Sequence, residues 1–146
     1  MLKKFNFRLE KNLNISYQEE QRAKENLHEK IKERDVAQEE LNIVQNKLVS
    51  LEDSIRNEKI LQKIMIKKDY IQVLKKLIYE KEEDLNLAQT KLEKARKILI
   101  QKSLETKTLE KLKEKEWKTY LLEANREEQK AIDEIASSKH IRENVN

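Results

Sequence analysis

The chain has 146 residues and contains neither glycine nor proline. Glycine reaches positive φ at little cost and proline fixes φ, so these two residues normally form the turns of a globular domain. Without them, helix is the one regular structure that can continue over long stretches. The composition agrees, because 41% of the residues are charged and straight-chain residues that favour helices fill most positions. The sequence therefore predicts an all-α fold.

The apolar content is small but regularly spaced. Hydrophobic residues make up 37% of the chain and aromatic residues 5%. This amount suffices for one apolar stripe along a helix and not for a core of several layers. The periodic spacing argues against a disordered chain. A single stripe predicts modest stability, to which a binding partner would add.

Two apolar rows have the alternating steps of three and four residues that mark the contact positions of a coiled coil. We call them together the seam. The predicted seam residues are Leu41, Val44, Leu48, Leu51, Ile55, Ile71, Leu74, Ile78, Leu85, Ala88, Leu92, Ala95 and Leu99. Lys81 is the one polar interruption of the second row.

Outside the seam the pattern is less regular. The upstream continuation is predicted as Leu13, Tyr17, Glu20, Lys24, Leu27 and Ile31. Downstream, Lys102 and Thr106 interrupt the row. The spacing then restarts in a shifted phase, with the predicted members Leu109, Leu112, Trp117, Leu121, Ala124, Glu128, Ala131 and Ile135. Such a shift predicts a stutter, which unwinds the supercoil locally without ending the helix.

The two rows of the seam do not join in phase between Ile55 and Ile71, which predicts a turn. Asn57 is one of the few residues besides glycine that tolerate a left-handed conformation at a helix end. We therefore expect residues 1–146 to form a single coiled-coil unit, with a first helix over about 5–57, a turn over about 57–67 and a second helix over about 67–138. The predicted fold is an antiparallel two-helix coiled-coil hairpin whose unequal second helix projects. One continuous helix with a stagger is the alternative.

Catalytic chemistry has little support in the sequence. The chain has no cysteine for a disulfide, thiolate metal site or redox centre, and no glycine for a phosphate-binding loop. His28 and His140 both lie in charged sequence and are expected to be solvated. A two-helix hairpin offers no concave pocket to desolvate a pair of carboxylates. We therefore predict a protein that is not an enzyme and that binds no cofactor or metal.

The charge and hydropathy patterns bear on location and partners. No stretch approaches the roughly 20 apolar residues of a membrane span, and the first residues lack the apolar run of a signal peptide. The expectation is a cytoplasmic protein without direct membrane insertion.

Segments 56–81 and 91–118 are basic, but their acidic residues are interleaved, unlike the dense basic run of a DNA-binding zipper helix. An acidic protein surface is therefore favoured as partner over nucleic acid.

An apolar cluster falls in the predicted turn, where polar residues would be expected. Its members are Ile60, Leu61, Ile64, Met65 and Ile66. The cluster either closes the end of the hairpin by local packing or forms an exposed surface for a partner. Tyr70, Val73 and Leu77 would extend such a surface along the second helix.

The carboxyl-terminal sequence is more specific than a generic coiled coil. Segment 109–115 (LEKLKEK) leads into 120–124 (YLLEA) and then into 125–136 (NREEQKAIDEIA). An arginine followed by a Gln-Lys pair and then Asp-Glu resembles the carboxyl-terminal segment of the flagellar export protein FliJ family. The opening 5–9 (FNFRL) and the segment 70–74 (YIQVL) resemble the aromatic start and the mid-chain segment of that family.

This resemblance implies a role in protein export. Members of the family are antiparallel coiled coils that resemble the central stalk of rotary ATPases. They insert into the hexameric export ATPase, contact the cytoplasmic domain of the export gate, and handle empty export chaperones. The implied location is the cytoplasmic face of the inner membrane near the flagellar base. The resemblance does not separate a flagellar protein from a counterpart in a virulence-type secretion system.

The resemblance also implies site residues. Those facing the ATPase would be Arg126, Gln129, Lys130, Asp133 and Glu134, and those facing the gate would be Tyr70, Leu74 and Leu77. From spacing alone the first group would be an ordinary solvated face, and Leu74 belongs to the seam. The seam by itself is also compatible with a parallel homodimer that serves as a scaffold or tether.

Overall fold

The computed structural model describes residues 3–145, which form two long helices that pack against each other. Helix α1 spans Glu10–Arg56 and helix α2 spans Leu61–Val145. No strand occurs between residues 3 and 145. The predicted all-α hairpin is therefore confirmed.

The helix boundaries differ from the predicted ones at three places. Helix α1 begins at Glu10 rather than near residue 5. Residues 3–7 have no regular secondary structure, and they lead into a turn in which Glu10 N donates to Phe7 O. The connection between the helices is residues 57–60, which is only the first part of the predicted turn. Helix α2 continues beyond residue 138 to Val145.

The connection is short because Glu58 caps the start of α2. The Ile60 backbone N–H donates to Glu58 Oε1 at 3.3 Å, and Ile64 N donates to Ile60 O at 3.1 Å. A side chain that accepts from the first amides of a helix satisfies donors that have no partner within the helix. No described residue has a positive φ, so Asn57 turns the chain without the left-handed conformation that the sequence suggested.

The chain divides into two compact units. One unit is Glu20–Lys102, and the other combines Met1–Glu19 with Ser103–Asn146. Each unit contains a part of α1 and a part of α2. The two units are described separately below.

In the Glu20–Lys102 unit every predicted seam residue is buried or partly buried. Leu41, Val44, Leu74, Leu92 and Ala95 are among the most buried. The helices are antiparallel, since Lys67 bonds Ser54 while the later residue Lys81 bonds the earlier residue Glu40. The seam residues are thus buried within one chain, and no second chain is needed to cover them.

Lys81, the polar interruption of the seam, is accommodated by a charge partner. Its Nζ lies 3.1 Å from Glu40 Oε2, and this hydrogen bond raises the pKa of Lys81. The lysine stem can cover the apolar seam while the ammonium group remains near water. One charged position in the row therefore does not interrupt the helix pairing.

In the other unit the inward row of α2 keeps its spacing through polar residues. Its buried or partly buried members are Thr106, Leu109, Lys113, Glu116, Tyr120 and Ala124. Leu112 and Trp117, where the sequence predicted a restart, are exposed. Over this described stretch the row thus stays in the phase of Leu99, and the predicted stutter is wrong.

The inward row of α1 differs from the prediction in the same way. Ser16 and Ala23 are buried, whereas Tyr17 and Lys24, which the apolar pattern suggested, are exposed. Ser16 Oγ and Thr106 Oγ1 form a hydrogen bond of 2.7 Å in the interior of the unit. Two small hydroxyl side chains thus occupy positions where hydrophobic residues are usual.

We predict that the two buried hydroxyl groups are energetically coupled. Thr106→Val removes the hydrogen-bond partner of the Ser16 hydroxyl and should lower the free energy of unfolding by about 1–3 kcal/mol. The double variant Ser16→Ala/Thr106→Val should recover part of that loss, because neither hydroxyl then remains buried alone. Urea unfolding of the two single variants and the double variant measures the coupling. Additive losses would contradict it.

Candidate functional site

The last part of α2 is a helix with an open surface. Every residue from 125 to 145 is exposed, and Ala124 is the last partly buried residue of α2. We call residues 125–145 the α2 tail. A fully exposed helix of this length gains no stability from packing on one face, which is the usual source of helical stability in proteins. The α2 tail is therefore a surface available to a partner.

The five residues that the resemblance implied for ATPase binding all lie on the α2 tail. At about 100° per residue, Arg126, Gln129, Lys130, Asp133 and Glu134 occupy a sector of about 140°. Gln129 Nε2 donates to Asp133 Oδ1 at 3.1 Å. The sector is thus one polar face with both signs of charge.

The opposite side of the α2 tail carries an apolar stripe that Glu128 and Arg142 interrupt. It includes Ala131, Ile132 and Ile135, and it continues upstream to Leu121. Ile132 and Ile135 are both more than half exposed. The tail is therefore amphipathic, with an uncovered apolar stripe on the side away from Arg126.

An aromatic cluster lies just before the α2 tail. Phe5 packs edge-on against Trp117, with ring centroids 5.0 Å apart, and Trp117 stacks on Tyr120 at 5.5 Å. Phe7 is also buried in the same unit. The amino-terminal segment thereby holds the part of α2 from which the tail extends. Sequence reasoning missed this cluster, although the single tryptophan three residues before Tyr120 was a signal for it.

Two polar contacts reinforce the pairing near the aromatic cluster. Lys113 Nζ lies 2.9 Å from Glu10 Oε2, and the Tyr17 hydroxyl donates to Glu110 Oε1 at 2.7 Å. Both contacts join α1 to α2 within the same unit. They fix the register of the two helices at the start of α1.

The three residues implied for gate binding do not form one exposed surface. Tyr70 is exposed and Leu77 is partly buried, but Leu74 is only 2% exposed. Its side chain belongs to the core of the Glu20–Lys102 unit. Leu74 is therefore covered while the helices are paired, and its contact with the gate stays a prediction.

Most of the apolar cluster at the turn is on the surface. Ile60, Leu61, Met65 and Ile66 are each more than half exposed, whereas Ile64 is partly buried. We call these four exposed residues the turn patch. Of the two interpretations given above, local packing fits Ile64 alone, and the exposed surface fits the turn patch. Apolar residues that remain uncovered together are typical of interaction sites.

An exposed apolar stripe continues the turn patch along α2. Ile66, Tyr70, Val73 and Leu77 follow one another at steps of four, three and four residues, beside the buried row. Tyr70 also borders a shallow groove with Ile43, Asn46, Lys47, Ser50, Leu51 and Ser54 of α1. The spacing is that of a surface that receives another helix.

The turn itself is held by a polar clamp. Lys67 Nζ donates to Ser54 Oγ at 2.7 Å and to Glu58 Oε2 at 3.0 Å. The hydrogen bond from Lys67, supported by the one from Ile60 N–H, holds the pKa of the Glu58 carboxyl below its ordinary value of 4.5. The charged form of Glu58 therefore stabilises the turn.

We predict that this clamp makes the stability of the turn depend on acid pH. Because the pKa of Glu58 is lower in the folded state, its contribution is present above the ordinary value of 4.5 and is lost as the pH falls through the folded pKa. Glu58→Gln should be less stable than the native chain at neutral pH, and the difference should shrink below that value. Urea unfolding across the pH range measures it. The same pH dependence should be weaker in Lys67→Gln, where only the Ile60 N–H and Lys63 still lower the pKa of Glu58.

The histidines and the acidic residues of the described chain do not indicate a metal-binding site. His28 and His140 are exposed, and His140 Nε2 is 3.0 Å from Asn144 Nδ2 one turn along α2. Residues 3–145 contain no group of acidic, histidine or cysteine side chains that could hold a metal ion. Neither described helix is long and apolar enough to cross a membrane.

Comparisons with known proteins identify a family and a similar fold. The family model described as the flagellar FliJ protein matches residues 5–145. Among solved structures, the chain is similar to a YscO homolog, CT670, from Chlamydia trachomatis, with a TM-score of 0.63 and 24% sequence identity. The similarity covers 94% of this chain and 96% of that one. A search of curated proteins found no match.

Proposed function

Since this chain belongs to the flagellar FliJ protein family and is thus a component of type III protein export, we propose that it is the coiled-coil stalk of the export ATPase. In this role the α2 tail binds the ATPase hexamer, and the part of the hairpin near the turn contacts the cytoplasmic domain of the export gate. The protein then acts at the cytoplasmic face of the inner membrane near the flagellar base. It performs no catalysis itself.

The observation that supports ATPase binding most strongly is the exposure of every residue in the α2 tail. The tail has a polar face with Arg126, Lys130 and Asp133, and an apolar face with Ile132 and Ile135. A helix with two different faces can contact nonequivalent subunits of a ring on different sides. Its apolar face would become covered in the complex, which supplies binding free energy.

The proposed contact with the gate uses the turn patch together with Tyr70 and Leu77. Leu74 is left out because it is buried between the helices. The basic residues around the turn favour an acidic partner surface. The same exposed apolar stripe on α2 would also suit a helix of an empty export chaperone. Binding of the gate and binding of a chaperone would then compete.

Coupling between the two ends requires that each contact favour a different state of its partner. Helix α2, which spans Leu61–Val145, contains both the α2 tail and most of the turn patch. The proposal therefore assigns the protein the role of linking ATPase binding to gate binding. It does not assign the hairpin any conformational change of its own.

Truncation after Ala124 tests this assignment of surfaces. The shortened chain lacks the α2 tail but keeps all the buried residues of the described chain, so it should remain folded by circular dichroism. We expect it to lose binding to the cognate export ATPase while it retains binding to the gate domain. A native chain that is folded but binds neither partner would contradict the proposed function.

The parallel homodimer is tested separately by sedimentation. The seam is already buried within a single chain, so the stalk should be a monomer in solution. A stable dimer that persists after truncation of the α2 tail would favour a scaffold or tether instead.

A further inference from the structure

A groove of about 440 Å³ opens beside the aromatic cluster, before the α2 tail. Its apolar lining comes from Phe5, Leu13, Tyr17 and Trp117. Its charged lining comes from Glu10, Glu110, Lys113 and Glu114. We call it the aromatic groove. Its size is in the range of sites that bind a side chain or a small ligand.

The charges that line the aromatic groove are unbalanced. Lys113 is neutralised by Glu10, with N–O distances of 2.9 and 3.1 Å. Glu110 accepts the Tyr17 hydroxyl at 2.7 Å, and this neutral donor leaves the carboxylate its negative charge. Glu114 pairs with Lys118 at 3.2 Å, but both side chains are about two-thirds exposed, and ion pairs of this kind contribute little. The lining therefore has an excess of negative charge.

The apolar lining favours a particular kind of cation. Trp117 is 42% exposed, and the face of an indole ring attracts a cation more strongly than the other aromatic rings do. A guanidinium group is planar, so it can stack on an aromatic ring while its N–H groups donate to a carboxylate at the edge. A lysine ammonium group is compact and strongly hydrated, and it gains less from such a site.

From these observations we propose that the aromatic groove binds an arginine side chain presented by a partner protein. The guanidinium group stacks against the part of the Trp117 ring that Phe5 and Tyr120 leave exposed. It donates to Glu114 and to the oxygen of Glu110 that Tyr17 does not use. The aliphatic stem of the arginine lies along Leu13 and Phe5. This proposal rests on the proposed function only for the identity of the partner, which is the export ATPase.

The single tryptophan makes the groove directly observable. The whole chain is prepared with 5-fluorotryptophan, so that Trp117 gives one fluorine resonance. It is titrated with the capped peptide acetyl-Gly-Arg-Gly-amide and with the matching citrulline and lysine peptides. Citrulline has nearly the shape of arginine without its charge. We expect a saturable shift of the resonance with the arginine peptide, and about tenfold weaker binding of the other two.

Glu114→Gln tests the carboxylate, and Glu93→Gln is its control. Both are exposed carboxylates of α2 that pair with a nearby cation, but Glu93 lies outside the groove. Glu114→Gln should weaken binding of the arginine peptide about fivefold, because a charge-assisted hydrogen bond becomes a neutral one. Glu93→Gln should leave it unchanged. Equal binding of the citrulline or lysine peptide, or an unchanged affinity in Glu114→Gln, would overturn the proposal.

Binding to the export ATPase hexamer separates this proposal from the proposed function. If the ATPase binds the native chain and binds Glu114→Gln more weakly than Glu93→Gln, the arginine belongs to the ATPase. Equal binding of both variants would overturn that assignment. If the ATPase does not bind the native chain at all, the proposed function fails, and the peptide titration still decides what the groove binds.

Discussion

Leu92→Asp is expected to separate the paired helices of the Glu20–Lys102 unit. Leu92 is only 3% exposed, so the new carboxylate would be buried without a charge partner. An uncompensated buried charge costs about 3–5 kcal/mol. This is comparable to the whole stability of a small domain, so the variant should be largely unfolded at moderate urea concentration.

Leu87→Asp is the matched control for this substitution. Leu87 lies on the same helix five residues away, but it is 57% exposed. The same change in residue type should there cost less than about 1 kcal/mol, mainly through the weaker helix propensity of aspartate. Urea unfolding followed by circular dichroism measures both variants. Equal losses would show that Leu92 does not face the opposing helix.

Arg126→Glu is expected to have the largest effect on binding without an effect on folding. Arg126 lies on the polar face of the α2 tail, where the described chain covers nothing. Arginine residues at interfaces often contribute about 2 kcal/mol or more, and reversal of the charge adds repulsion. Affinity for the export ATPase should therefore fall by about 30-fold, which isothermal calorimetry measures.

Arg22→Glu controls for the change in charge. Arg22 is also an exposed arginine, but it lies on α1, outside the α2 tail. Its reversal should change ATPase affinity only slightly, and both variants should keep the helix content of the native chain. A similar loss of affinity in both would mean that net charge, rather than a particular face, attracts the ATPase.

The hairpin was predictable because its main signals are local. The absence of glycine and proline indicates helix, and the break in phase between Ile55 and Ile71 indicates a turn. The exact turn was less predictable because it depends on the Glu58 side chain, which caps α2 and shortens the connection to residues 57–60. A capping contact of this kind depends on geometry that the apolar pattern does not encode.

The inward row near the start of α1 could not be read from hydrophobicity. There the apolar pattern favoured Tyr17 over Ser16 and treated Thr106 as an interruption of the row, whereas the structure buries the two small hydroxyl residues. Taken alone, each buried hydroxyl residue would be an exception to the apolar pattern of the inward row. Together they satisfy each other by a hydrogen bond across 90 positions of sequence. Such a pair becomes visible only once the register of the two helices is known.

The candidate site was predictable in part. The resemblance indicated the polar face of the α2 tail, but spacing alone gave no reason to prefer it over any other charged helix face. The aromatic groove was missed because Phe5 and Trp117 are 112 positions apart in the sequence, and only the folded chain brings their rings to 5.0 Å.

The sequence separation of the contacts between α1 and α2 has a consequence for how the hairpin forms and opens. It rises from 13 residues for Ser54 and Lys67 to 41 for Glu40 and Lys81, and to 103 for Glu10 and Lys113. Contacts between distant residues close larger loops and normally form after the local ones. Pairing should thus spread from the turn outwards, and the contacts of Glu10 should be the first to fray. Hydrogen exchange would then be fastest at the end of the hairpin where the ATPase is proposed to bind, and a bound ATPase would slow it there.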